Sequence, residues 1–399
     1  MNLPQFEKEI NVELNRILDY WEKFSPDIRN GGFLGEVDIL NQPDYNAPKG
    51  GVLNARILWS FSAAFAFTQN PVHKNLAQRA YEYICRYFLD QKSGGTYWSL
   101  NADGTVLDGR KQTYGLAFTL YAFAEYFKIT SENEVLEQAQ KLFFELEEHA
   151  FDPKNGGYWE AFSQNWEKLD DVRLSEKDRN DPKTMNTHLH IIEAYANLYQ
   201  IWPDALLKKR IIHLLEVFEK HIINPKTWQL QLFFDAQWLS QSAAYSYGHN
   251  IEASWLLYES AEIIEDAILQ EKWSEIAIKM ADATSEGCQP DGSLLHEYDP
   301  ETKHTDTHRE WWVSAEGMVG YLNVFQLKNN REYMHRVEGF WDFIKKHLLD
   351  LQNGEWFWGV DDAYRKVNEG KVSFWKCPYH NVRACLEILK RIKTIKSCN

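Results

Sequence analysis

Two kinds of helical stretch take turns along this chain. Tyr114 to Phe127 is apolar on nearly every side, with small residues mixed in, whereas Glu132 to Glu148 carries Glu134, Glu137, Lys141, Glu145 and Glu148 along one side. A helix that is apolar all round is buried, and a striped one lies at the surface. The alternation therefore predicts pairs of one inner and one outer helix.

A short glycine–aromatic signature punctuates the pairs. It reads Gly31-Gly32-Phe33, Gly94-Gly95-Thr96-Tyr97-Trp98 and Gly156-Gly157-Tyr158-Trp159, lapses at Thr227-Trp228-Gln229-Leu230, and returns at Asp291-Gly292-Ser293-Leu294 and Asn353-Gly354-Glu355-Trp356-Phe357. With Gly32, Gly95, Gly157, Trp228, Gly292 and Gly354 as markers, the spacings are 63, 62, 71, 64 and 62. So constant a period marks a structural repeat. Six inner and six outer helices, joined by glycine turns and short β-like segments, predict an all-α (α/α)6 barrel, a single catalytic domain over residues 1–399. An open solenoid of the same repeat would need polar caps at both ends. The charged helix from Phe6 to Lys23 fits better as the element that closes the ring.

The inner helices are expected to start near Asn54, Thr113, Thr187, His249, Trp312 and His380. In an alternating ring these starts share one end, so their first turns line a common mouth. Two long polar connections, Ser163 to Lys183 and His296 to Arg309, are expected at its rim as walls or lids.

The first turns hold polar groups that a barrel core does not need: Arg56, Tyr114, Asn186 with His190, His249 with Glu252, Trp311 and Trp312 with Glu316, and His380. Asn186/His190 and Trp312/Glu316 are four apart and share a helix face. Gly248 is expected to break the chain ahead of the fourth inner helix. Glu252, three residues after His249, is expected to set that imidazole's tautomer and raise its basicity. In ring order, His190 and His380 fall opposite one another, His249 about a third of the way round from His380, and Arg56 beside it. A ligand in the mouth would then meet imidazoles on different sides. The other histidines, His296 and His308 among them, lie on loops or outer segments and are expected to take no part. His188-x-His190 and His249-x-x-Glu252 are ligand-like, but residues two apart on a helix diverge and no His-Glu-x-x-His occurs. Neither a metal nor a cofactor is expected. Glu252 and Glu316 could instead flank a glycosidic bond, a reading that leaves the three mouth histidines without a task.

Composition narrows the partners. Sixteen Trp, twenty Tyr and twenty-two Phe exceed what a core needs, and aromatic faces pack well on sugar rings. A net charge of −15 argues against nucleic acid. No apolar run reaches the length of a membrane span. Five scattered cysteines, with no Cys-x-x-Cys, and an N-terminus without a basic head and apolar stretch point to the cytoplasm. The partner expected is a small sugar, on a monomer or weak homo-oligomer.

The set Arg56, Asn186-x-x-x-His190, Gly248-His249-Asn250-x-Glu252, Trp311-Trp312-x-x-x-Glu316 and Trp375-Lys376-x-Pro378-Tyr379-His380 resembles the N-acylglucosamine 2-epimerase superfamily, and within it the cellobiose 2-epimerases. The resemblance covers essentially the whole chain. It implies an (α/α)6 barrel that needs no cofactor and epimerises the reducing-end glucose of β-1,4-linked disaccharides such as cellobiose to mannose. Monosaccharide epimerisation or aldose–ketose isomerisation would use the same scaffold. By position, the resemblance makes His249 and His380 the acid/base pair at C2, with His190 assisting ring opening. It makes Arg56, Tyr114, Asn186, Glu252 and Glu316 binders of hydroxyls and oxyanion, and Trp311, Trp312 and Trp375 the surfaces that pack on sugar rings.

Overall fold

The structure, a computed structural model, describes residues 2–398, the side chain of Cys398 excepted. Met1 and Asn399, the ends of the domain expected over 1–399, lie outside the described residues.

Twelve α-helices alternate between two layers among the described residues. The inner six are α2 (Gly51–Thr68), α4 (Thr113–Thr130), α6 (Met185–Tyr199), α8 (Tyr247–Ile263), α10 (Trp311–Lys328) and α12 (Tyr379–Cys398). Each starts within three residues of its expected position. The outer six are α1 (Leu3–Phe24), α3 (Pro71–Tyr83), α5 (Asn133–Glu145), α7 (Ala205–Val217), α9 (Ala267–Thr284) and α11 (Arg331–Phe343). Burial follows the pattern: α4 is buried along almost its whole length, while α3 buries only the stripe His73, Ala77, Ala80 and Tyr83.

Each inner helix packs on the next, and α12 packs on α2, so the ring is closed. The charged first helix, α1, buries Phe6, Ile10, Leu14, Ile17 and Trp21 and lies against α12 as its outer partner. This is the (α/α)6 barrel.

A rim of short antiparallel pairs circles the N-terminal ends of the inner helices. Lys49–Gly50 pairs with Ser99–Leu100, Lys111–Gln112 with Ala161–Phe162, Lys183–Thr184 with Phe233–Phe234, Tyr245–Ser246 with Glu297–Asp299, and Arg309–Glu310 with Gly359–Val360. A bridge from Val372 back to Val37 completes the circle. Every inner-helix start is thereby tied to the repeat that follows it.

The glycine turns are held by a device that the marker pattern did not reveal. Asp27, Asp90, Asp152 and Asp350 each accept backbone N–H groups within their own turn. Each also grips a lysine from the segment before an inner helix: Lys49 at 2.8 Å, Lys111 at 2.8 Å, Lys183 at 2.7 Å and Lys371 at 2.7 Å. These ammonium groups are buried and depend on their partners, since an unpaired buried charge is costly. The fourth and fifth repeats depart from the rule, the fifth with Gln289 and Arg309 in the two places. In the fourth, Asn224 stands in the aspartate's place, Tyr245 in the lysine's, and Trp228 takes the left-handed conformation, φ 60°, that glycine takes elsewhere.

Candidate active site

The first turns of the inner helices do form one mouth, and a buried ionic network underlies it. Arg383, one turn into α12, donates through Nη2 to Oε1 of Glu316 at 2.7 Å and to Glu252, and through Nη1 to Glu193 and the Tyr379 hydroxyl. Glu193 also accepts from the Tyr379 hydroxyl. Its other oxygen stands 2.9 Å from Nδ1 of His190. Burial opposes its ionisation, but Arg383 and His190 hold its carboxyl down at about 2. Glu316 accepts additionally from the Trp255 indole at 3.1 Å and lies 2.8 Å from Nδ1 of His380. Three carboxylates thus share one guanidinium.

The two principal imidazoles are held differently. Glu316 fixes Nδ1 of His380, and Glu252 stands further off at 3.9 Å. Nδ1 of His249 meets the hydroxyl of Ser246 at 2.9 Å, the same residue that caps α8. The expectation that Glu252 orients His249 is therefore wrong: the carboxylate turns into the barrel, where Arg383 takes it. The His-x-x-Glu spacing does operate one helix earlier, in His190 and Glu193. In both principal histidines Nδ1 is engaged and Nε2 is left for a substrate. Burial drives both well below the ordinary histidine value; neighbouring positive groups deepen this at His249, and Glu252 resists it at His380.

Trp312 is their common neighbour, its ring centroid 4.7 Å from His249 and 5.6 Å from His380. Its indole N–H donates to Glu310 at 2.5 Å. Gly248 does not break the chain as expected. It lies inside α8, where a Cβ would come within 2.6 Å of the Trp312 ring, so its lack of a side chain makes the approach possible. Trp311 packs at 4.6 Å on Trp358 and at 6.5 Å on His380.

Across the mouth, Arg56 donates to the Tyr114 hydroxyl at 2.8 Å and stacks 4.1 Å from Phe118. Tyr114 meets His190 edge-on at 5.2 Å, and Trp375 lies 6.2 Å from Tyr114. Asn186 is half-buried with its carbonyl oxygen unpartnered. All eleven expected residues stand in or beneath the mouth.

A cavity of about 170 Å³ opens beside His249. One wall is the connection from Ser163, through Arg173, Asp178 and Arg179; Asn186, Ser246 and His249 form the floor. His296, expected to take no part, lines it too; its buried Nδ1 makes no hydrogen bond, with Glu310 standing off at 3.9 Å. Sequence reasoning also missed Glu193, Ser246 and Arg383. The first had a signal in its spacing from His190; the other two act through contacts between distant segments or from a capping position.

Glu252, Glu316 and His380 bring possible metal-ligating atoms within 4.8 Å of one another. Arg383 occupies the same place electrostatically, so a cation there would have to displace a buried guanidinium. Among the described residues no helix is long and apolar enough to cross a membrane.

A closed α/α ring with oriented, buried imidazoles and aromatic rings at one mouth defines an enzyme of the carbohydrate-acting α/α-barrel type. The sequence profile of the N-acylglucosamine 2-epimerase (GlcNAc 2-epimerase) family matches residues 32–384, and the chain belongs to that family. It is 44% identical to a cellobiose 2-epimerase of Bacteroides fragilis over 384 residues, 96% of this chain and 98% of the relative. It is 39% identical to one of Dictyoglomus turgidum, over 98% of this chain and 100% of that one. The solved cellobiose 2-epimerase of Bacillus thermoamylovorans superposes with a TM-score of 0.93 at 36% identity, covering 98% of this chain and 100% of its own.

Proposed function

We propose that the protein is a cofactor-independent epimerase that inverts C2 of the reducing-end glucose of β-1,4-linked disaccharides, taking cellobiose to glucosyl-mannose and acting also on lactose or mannobiose. The observation that carries this is the pair His249 and His380. They sit on different inner helices against one tryptophan ring, each with Nδ1 engaged and Nε2 available.

The sugar ring opens first, with His190 assisting, and exposes a C1 aldehyde. One imidazole then takes the C2 proton, and the C–H electron pair becomes the C1–C2 double bond of an enediolate. The charge gathers on O1, where Arg56 stabilises it as it forms. The other imidazole, which enters the cycle as the imidazolium carrying a proton on Nε2, delivers that proton to the opposite face and inverts C2. It ends neutral as the first ends protonated, and the roles exchange in reverse. Tyr114, Asn186, Glu252 and Glu316 hold hydroxyls directly or through the groups they orient; Trp311, Trp312 and Trp375 supply the apolar faces. Protonation at C1 in place of C2 would yield a ketose, so isomerisation is the natural side reaction. Hydrolysis by Glu252 and Glu316 is disfavoured because both are engaged by Arg383.

The reading includes one catalytic domain and a cytoplasmic setting, to which the unpaired cysteines Cys85, Cys288, Cys377 and Cys385 lend support. Incubation of cellobiose in D2O tests the reaction: glucosyl-mannose carrying deuterium at C2 is expected, and recovery of cellobiose alone would end the disaccharide assignment.

A further inference from the structure

The barrel is hollow at both ends. A chamber of about 430 Å³ opens at the end opposite the mouth, among the C-terminal halves of the inner helices. Its volume is that of a small-molecule pocket. Its inner end is formed by Glu193 and Arg383, so the chamber and the mouth share the ionic network as a partition.

Two groups in its wall lack internal partners. Tyr121 is only 8% exposed, yet its hydroxyl makes no hydrogen bond within the protein. Tyr121 lines the chamber together with Glu193, Arg383, Glu125 and Glu259. The Glu259 carboxylate accepts no hydrogen bond either, its nearest cation being Lys390 at 3.9 Å. Beside them the Tyr121 ring stacks on Trp59, with centroids 5.4 Å apart and planes within 22°, and presents a flat apolar shelf.

We propose that the chamber is a second small-molecule site, taking a neutral polyhydroxylated molecule of monosaccharide size. The wall mixes four acidic with four basic side chains, so neither sign dominates it. Hydroxyl groups both donate and accept, as Glu259 and the Tyr121 hydroxyl together require. An aromatic shelf suits the C–H face of a sugar or polyol. The occupant would touch Glu193 and Arg383 from below, and so bias the groups that orient His190 and His380. Linkage then requires substrate in the mouth to alter affinity in the chamber by the same factor.

The test uses D-sorbitol, a polyol with no aldehyde to react, titrated calorimetrically into the full chain. Saturable binding is expected in the wild type and in the mouth variant Trp375→Ala. Affinity should be about five- to tenfold weaker in Tyr121→Phe, the loss of one hydrogen bond, and abolished in Ala66→Trp, which fills the chamber. Tyr121→Phe should keep its melting temperature, so it remains informative if Ala66→Trp folds poorly. During turnover of cellobiose, sorbitol should change kcat without raising KM. No saturable binding, binding lost in Trp375→Ala but kept in Tyr121→Phe, or purely competitive inhibition would each overturn the proposal. The binding arm stands whatever reaction the mouth performs.

Discussion

His380 holds its Nδ1 2.8 Å from Oε1 of Glu316, a residue 64 positions earlier on the neighbouring inner helix. The carboxylate fixes the tautomer that leaves Nε2 basic and steadies the imidazolium formed on proton uptake. Glu316→Gln keeps the shape and removes the charge. It is expected to lower kcat/KM by at least ~10-fold, a part of the 10²–10⁴ that a general base supplies. Unchanged kinetics would mean that the contact is structural only.

Removing either imidazole should be more severe. His249→Ala and His380→Ala are each expected to reduce turnover by about 10²–10⁴-fold while far-ultraviolet dichroism stays native. Exchange of the C2 proton with D2O, followed by NMR, separates them further. If one variant still washes deuterium into unepimerised substrate, the remaining histidine is the base for that face.

Arg383 is ion-paired with three buried carboxylates at once. Arg383→Met strands Glu193, Glu252 and Glu316, and breaking a buried ion pair typically costs about 3–5 kcal/mol. Denaturant melts should show a loss of that order or larger. A loss below about 1 kcal/mol, the range of a surface pair, would contradict the assigned role.

Acid should weaken the fold before it stops the chemistry. Burial lowers His188 to about 3 and drives His249 and His380 well below 6.5. Between about 3 and 6.5 the unfolded chain binds protons at these sites that the folded chain refuses, so stability is lost as pH falls through that window. The same depression keeps a neutral base in the mouth, and the acid limb of kcat/KM should lie below 6.5. Melting temperatures and rates measured from pH 7.5 to 5 check both statements.

Lys111 and Asp90 are fully buried together, and Asp90 is held at about 2 against burial by that lysine and by its own turn. Lys111→Met should destabilise the second repeat by about 3–5 kcal/mol yet leave the specific activity of the folded fraction near normal. Thermal melting with active-fraction titration distinguishes this from a catalytic defect.

The ring was legible because its period is written in glycines and in alternating helix character, both local properties. The mouth was legible because polar residues at Arg56, His190, His249 and His380 violate an otherwise apolar inner layer. What stayed hidden depends on distance in space. Glu252 is one turn from His249, but its direction is set by Arg383, 131 positions away. Ser246 caps α8 and also meets the His249 imidazole, and a serine before a helix carries no mark of the second contact. The turn lysines left no local trace, because the aspartates they grip lie far off in sequence, 21 positions away for Lys111 and Lys371 and 31 for Lys183.

The ring has a beginning only by convention. Its first helix lies on its last, and Lys396 is ion-paired with Glu7. Ends so close can be joined by a short linker and new ends cut elsewhere. The natural place is the segment 240–244, in one of the two repeats that lack the aspartate–lysine clasp. Permuted there, the chain should fold to the same barrel with the same mouth, since no contact described above depends on the order in which the six units are made.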